Sequence, residues 1–123
     1  MSTDRVVIGH VDAVTLDCAD PHMLADFYQR ATGWPRVYDT GEYVYLAGDG
    51  TIQLGFQRVA EQAPPEWPSP TRQGHLGFSV VDLDEAEKSL LALGGTKADV
   101  QPDESTFRVL IDPSGHPFYV YVR

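Results

Sequence analysis

A chain of 123 residues, 42% of them hydrophobic, is long enough for one domain with its own core, and this composition argues against a disordered chain. Its net charge of −9 argues against nucleic acid and anionic membranes as partners, because proteins bind such surfaces through lysine and arginine. The single cysteine, Cys18, excludes an internal disulfide, and the absence of a long apolar run leads us to expect a cytoplasmic protein.

The first predicted unit is a strand followed by a helix. From Val11 onward polar and apolar residues alternate, which predicts a strand with one buried face. Asp20 then stands at an N-cap position, Pro21 takes the first helical position, and Gly33 marks the end. The pattern therefore predicts a β–α unit near the start of the chain.

Short strand signals separated by glycine, proline and aspartate follow this helix. They predict strands at residues 36–39, 43–47 and 51–58. The next stretch, residues 59–73, is rich in proline, which does not form a regular element but supports an extended connection. We interpret this stretch as a linker.

A second β–α unit begins at His75. The residues alternate again, and Asp82 follows as an N-cap with Glu85 three residues later, which is capping-box spacing. The Gly94-Gly95 pair ends the predicted helix. This unit therefore has the same order of signals as the first.

Three further strands are predicted, at residues 97–100, 106–111 and 117–122. When the two β–α units are aligned without a gap, Asp20 matches Asp82 and Gly33 matches Gly95. Such self-similarity indicates an internal duplication.

These elements predict an α+β fold built from duplicated βαβββ modules whose mixed sheets curl around a cup. The modules span residues 11–58 and 74–123, and together with linker 59–73 they form one domain covering residues 1–123.

The cup is predicted from strands that have one aliphatic face and one polar face. The polar faces carry the candidate ligand-binding residues Asp17, Gln53, Gln57, His75, Tyr119 and Tyr121. Gly55 and Gly77 leave space among them. One such strand is more often solvated on its polar side, but several together favour a curved sheet that lines a cavity.

Several motifs resemble the vicinal oxygen chelate superfamily. They are Asp20-Pro21 followed by Phe27-Tyr28 and Gly33-Trp34, the strand of His75-Leu76 leading to Asp82-Leu83-Asp84, and the turn at residues 112–117. The superfamily includes glyoxalase I, extradiol dioxygenases, and fosfomycin-resistance and bleomycin-binding proteins, and the chain looks like one of its small glyoxalase-like domain proteins. The resemblance implies two modules whose sheets surround a central cavity.

The resemblance also implies metal positions at Ala13, Gln53, His75 and Tyr119. Only His75 is a common metal ligand, because alanine has no donor atom and a phenol seldom replaces a carboxylate. A catalytic metal normally has about three protein ligands. We therefore expect no metal and no other cofactor.

Three functions are considered. The first is a binding module that holds a small, partly aromatic or amphipathic organic molecule without catalysis. The second is a metal-independent isomerase or lyase in which His75 moves a proton and Tyr119 or Tyr121 stabilises an oxyanion, with Asp17 pairing to His75 only if the modules bring them together. The third, a metal-dependent glyoxalase or dioxygenase, is disfavoured by the replaced ligands.

We also expect a homodimer. Open sheet edges in a chain of 123 residues leave apolar strand surface that a second copy would bury. Whether the modules pair within one chain or across the dimer stays open at this point.

Overall fold

The computed structural model describes residues 11–48, 50, 52–60, 68 and 75–122. Most of the predicted linker lies outside these residues. The elements in chain order are β1 (Ala13–Cys18), α1 (Pro21–Thr32), β2 (Arg36–Asp39), β3 (Tyr43–Ala47), β4 (Gln53–Arg58), β5 (Leu76–Val80), α2 (Leu83–Ala92), β6 (Thr96–Lys97), β7 (Phe107–Ile111) and β8 (Pro117–Val122). Each half has the order βαβββ, which confirms the predicted α+β class.

Helix α1 begins and ends at the predicted caps. The Asp20 carboxylate accepts a hydrogen bond from the Met23 amide (3.2 Å), and Pro21 occupies the first turn, where no amide donor is needed. Gly33 adopts a left-handed φ of +77°, and its amide donates to the Gln29 carbonyl (2.8 Å). A residue with a Cβ is strained in this conformation, which explains the glycine.

Helix α2 begins at the predicted cap and ends just before the predicted glycine pair. Asp82 accepts from the Glu85 amide (3.0 Å), and the left-handed glycine after the helix is Gly94 (φ +116°), one residue before the Gly95 that aligns with Gly33. Gly95 has another role. A Cβ there would lie 3.1 Å from the Leu90 carbonyl oxygen, so this position needs glycine for close packing.

The strands form two four-stranded sheets of the same topology. Their orders are β1-β4-β3-β2 and β5-β8-β7-β6. In each sheet the first strand of the half runs parallel to the last strand, with Ala13 opposite Gln53 and Leu76 opposite Phe118, and the remaining pairs are antiparallel. The first strand of each half therefore lies at a sheet edge.

Strand β6 is shorter than predicted and lies earlier in the chain. It covers Thr96–Lys97 instead of residues 97–100. The Ala98 amide still donates to the Val109 carbonyl (3.1 Å), and beyond Ala98 the Gln101 side chain replaces the backbone ladder. The Gln101 amide oxygen accepts from the Val109 amide (2.9 Å), and its nitrogen donates to the carbonyls of Ala98 (2.9 Å) and Val109 (2.8 Å). These bonds give the backbone groups of Val109 in β7 hydrogen-bond partners at the place where a longer β6 would have paired.

The hydrophobic core joins the two sheets through α1. The Tyr28 ring lies 5.5 Å from Phe56 of the first sheet and 5.9 and 6.1 Å from Phe118 and Phe78 of the second, measured between ring centroids. The apolar sides of both sheets belong to one cluster. Because side chains alternate along a strand, the polar sides of both sheets point away from this shared core.

A buried polar network also connects the halves. The Tyr28 hydroxyl donates to the Asp112 carboxylate (2.8 Å), which is buried at 3% exposure. Asp112 further accepts from the amides of Ser114 (2.9 Å) and His116 (3.0 Å) and bonds the His116 ring (3.1 Å). Burial, together with the negative charge of Asp112, raises the pKa of Tyr28 well above its usual value.

Candidate ligand-binding site

The polar side of the first sheet is called here the N-terminal face. It consists of three rows of register partners: Asp17, Gln57 and Tyr43; Thr15, Gly55 and Tyr45; and Ala13, Gln53 and Ala47. Gln57 donates to the Tyr43 hydroxyl (3.1 Å), and the hydroxyls of Thr15 and Tyr45 lie 2.9 Å apart. Asp17 and Gln57, two of the predicted site residues, are thus neighbours.

Tyrosine rings cover the middle of the N-terminal face. A Cβ on Gly55 would come within 2.3 Å of the Tyr45 ring, so the ring lies flat over this glycine. The Tyr38 ring stands 6.2 Å from Tyr45, nearly edge-on. Tyr38 and Tyr45 were not among the predicted site residues.

The polar side of the second sheet is called the C-terminal face, and it carries a stack of three rings. His75 lies just before β5 and stacks on Tyr119, with 3.6 Å between ring centroids and 15° between planes. Phe107 stacks on Tyr119 from β7 (5.0 Å, 6°). Tyr121 passes over Gly77, where a Cβ would lie 3.2 Å from its ring. The structure therefore brings the predicted residues His75, Tyr119 and Tyr121 together.

Phe107 was not predicted as a site residue, and the local pattern of β7 contains no signal for it. Phe107 alternates with Val109 and Ile111 along the strand, which is the pattern of an apolar side. It belongs to the polar side of the sheet because it pairs with Tyr121 across β7 and β8, and register partners share a face.

The six predicted ligand-binding residues form two groups, one on each face. Asp17, Gln53 and Gln57 belong to the N-terminal face, and His75, Tyr119 and Tyr121 to the C-terminal face. Asp17 and His75 therefore belong to the faces of different sheets.

A crevice of about 490 Å³ lies outside both faces, between the start of α1 and the turn after β7. Its two acidic residues have structural roles, because Asp20 caps α1 and Asp112 belongs to the buried network. The two polar faces are therefore the better candidates for a site.

The sequence matches the model of a family described as "Glyoxalase-like domain" over residues 13–121. The chain belongs to this glyoxalase-like family. Through it the chain is a member of the vicinal oxygen chelate superfamily. No curated protein matches the sequence.

Solved structures share this glyoxalase-like fold at low sequence identity. A fosfomycin resistance protein from Mesorhizobium loti has a TM-score of 0.72 and 14% identity, with 95% of this chain and 94% of that chain covered. A glyoxalase-related enzyme from Fulvimarina pelagi has a TM-score of 0.69 and 21% identity, with 94% and 89% covered. A glyoxalase/bleomycin resistance protein/dioxygenase family enzyme from Burkholderia phytofirmans has a TM-score of 0.69 and 17% identity, with 89% and 94% covered.

The metal positions implied by the superfamily do not fit a divalent metal in this glyoxalase-like chain. Ala13 and Gln53 are register partners on one face, and His75 stacks on Tyr119 on the other. These positions offer one imidazole and one neutral amide, which are too few donors with too little charge. In the described part of the chain, no group of three or more His, Cys, Asp and Glu side chains is arranged to hold a metal ion.

Neither helix in the part of the chain that the structure covers has the length and apolar character that a membrane crossing requires.

Proposed function

We propose that this glyoxalase-like chain binds a small organic molecule on its two polar faces and does so without the superfamily's metal. The observation that carries the proposal is the ring stack of His75, Tyr119 and Phe107 on the polar side of the second sheet. Stacked rings with exposed edges provide apolar area and orientation for a planar ligand. Tyr119 and Ala13 stand at positions where the superfamily resemblance implies metal ligands. In this proposal they contribute apolar area to the ligand-binding faces instead of metal-donor atoms.

The second part of the proposal is that two copies complete the site. Each polar face is one side of a single sheet, whereas ligand sites normally bury most of the ligand. In this proposal the N-terminal face of one copy meets the C-terminal face of another, and the two faces enclose a ligand. A twofold dimer would form two such cups.

A thermal-shift screen with metabolite and antibiotic libraries tests ligand binding, followed by product analysis of each hit. A ligand present at about 100 times its dissociation constant should stabilise the fold by about 2.7 kcal/mol. His75→Ala should reduce this shift, whereas the control His22→Ala, which changes an exposed histidine of α1, should retain it. Equal shifts in both variants would contradict the proposed site.

Elemental analysis of the same preparation tests the proposal that the protein binds its ligand without a metal. We expect no stoichiometric Ni, Zn, Mn or Fe. About one bound metal per chain that disappears in His75→Ala would overturn this part and favour a metal-dependent glyoxalase or dioxygenase.

A second candidate function is a metal-independent isomerase or lyase. The observation that favours it is the contact between His75 and Tyr119, because it places a proton carrier beside a phenol that can stabilise an oxyanion. Conversion of a hit that is abolished by His75→Ala while binding persists would favour this enzyme. Binding without conversion supports the binding module.

A further inference from the structure

Lysine and arginine side chains in the described stretches lie away from both ligand-binding faces. They lie either on a helix or opposite a core residue, on the strand sides turned toward the core: Arg30, Arg36, Arg58, Lys88, Lys97 and Arg108. Within the residues that the structure covers, neither face therefore offers a lysine or an arginine to an anionic ligand.

Several of these cations are also held by acids away from the faces. Arg108 binds Asp84 (2.9 Å) and Glu87 (3.0 Å) of α2, and Lys97 pairs with Glu87 (3.4 Å) and Glu104. These ion pairs hold the positive charges of Arg108 and Lys97 beside α2. The two side chains are therefore not available to compensate a negative group on the C-terminal face.

The N-terminal face carries a negative charge instead. Asp17 is exposed and lies in one row with Gln57 and Tyr43. No hydrogen bond or ion pair joins its carboxylate to another residue in the described ranges, so it can meet a ligand directly. The adjoining groups on this face are tyrosine rings, whose electron-rich surfaces also attract cations.

We infer that the ligand of these faces is a planar aromatic molecule carrying a positive charge. This inference rests on the proposed function, because it names the class of molecule that the two faces hold. On the N-terminal face the Tyr45 ring lies flat over Gly55 and can present its electron-rich surface to a planar cation, and the Asp17 carboxylate attracts the same positive charge. An anionic ring would be repelled by Asp17, and the net charge of −9 would slow its approach.

Three probes of one ring shape test this inference: N-methylquinolinium, quinoline and quinoline-4-carboxylate, which are cationic, neutral and anionic at pH 7.5. Each is titrated calorimetrically, and contact with Tyr45 and Tyr119 is followed by NMR. We expect the cation to bind about tenfold more tightly than the neutral ring, the preference that a cation–π contact of ordinary strength provides. The preference should decrease as salt is added.

Asp17→Asn should reduce the preference for the cation over quinoline, and Asp26→Asn is the matched control. Asp26 is an exposed acid on α1, paired with Arg30 and away from both faces, so its variant should keep the preference. Equal binding of the three probes at Tyr45 and Tyr119, or tighter binding of the carboxylate, would overturn the inference while leaving the proposed site intact. If no probe perturbs the NMR signals of these tyrosines, both the inference and the proposed function are contradicted.

Discussion

Asp112 illustrates how much one buried carboxylate contributes to this fold. It accepts hydrogen bonds from two backbone amides of its own turn and bonds the His116 ring, and it also accepts the Tyr28 hydroxyl from the other half of the chain. A buried carboxylate is costly unless its oxygens are satisfied. The hydrogen bond from Tyr28 therefore helps to satisfy the Asp112 carboxylate, and it also links the two halves.

Tyr28→Phe should lower the free energy of unfolding by about 1–3 kcal/mol, because it removes one partner of a buried carboxylate and leaves the ring packing in place. Urea denaturation measures the change. Tyr38→Phe serves as the control, since Tyr38 is 56% exposed, and it should stay within about 0.5 kcal/mol of the parent. Equal effects of the two variants would contradict this role of Asp112.

Gly55→Ala should displace the Tyr45 ring, because the new methyl would lie 2.3 Å from it. We expect a loss of stability of about 1–3 kcal/mol, typical of overpacking, and a smaller loss when Tyr45 is already alanine. Gly50→Ala is the control, since a Cβ there meets no atom within 4 Å. A loss that is the same with and without Tyr45 would show that the ring is not the cause.

The candidate site was only partly predictable at the residue scale. Alternation alone placed Asp17, Gln57 and Tyr119 on the polar sides of their strands, since strand parity is local information. The stacking of Phe107 on Tyr119 depends on the register between β7 and β8, which a single strand does not specify. For the same reason the sequence could not tell that the apolar sides of both sheets belong to one core.

Among the elements, those with local start and stop signals were predicted well. The N-cap residues Asp20 and Asp82 locate both helices, and β2, β3 and β8 have the predicted bounds. Strand β6 was misplaced because the deciding contact is between Gln101 and β7, and it does not appear in the local pattern.

Gln101→Ala should weaken the pairing at the β6 edge of the second sheet. It removes the acceptor of the Val109 amide and the donor to two carbonyls, so hydrogen exchange at Val109 should accelerate by about tenfold, corresponding to one lost hydrogen bond. Gln29→Ala, which changes a glutamine of α1 that accepts a bond from Arg36, should leave exchange at Val109 unchanged. Unchanged protection of Val109 in Gln101→Ala would contradict this account of β6.

At the scale of the whole molecule, the two halves share one core and should unfold together. Cys18 reports on this core because it is fully buried. Burial, followed by the charge of Asp112, raises the pKa of Cys18 from 9.0 to about 11. The fold thus favours the protonated thiol. Its contribution to the free energy of unfolding is fully present below pH 9 and is lost as the pH rises towards 11.

Alkylation of Cys18 at pH 8 should be at least about 100-fold slower in the folded chain than in urea, because the raised pKa depletes the thiolate. Across a urea series, labelling and circular dichroism should give the same midpoint. Two separate midpoints would mean that the halves unfold independently.

The proposed pairing of faces predicts a homodimer at micromolar concentration. Sedimentation should give about twice the chain mass of 13.6 kDa, with an interface large enough for a stable complex. A charge placed in the ring stack, as in Phe107→Glu, should shift the equilibrium towards monomer, whereas Lys88→Glu on α2 should not. A parent protein that sediments as a monomer would contradict the pairing.

The position of the polar faces outside the shared core has a consequence for how such proteins diversify. Residues on these faces contribute little to the packing between the halves, so they can be replaced over generations without rebuilding the scaffold. Helix α1 and the Tyr28–Asp112 bond hold the scaffold, while side chains of the two faces such as Asp17 and Gln53 lie outside the core cluster. A duplicated scaffold of this kind can acquire new specificities on one surface while keeping the other, which makes it a good starting point for selecting binders from libraries confined to the two faces.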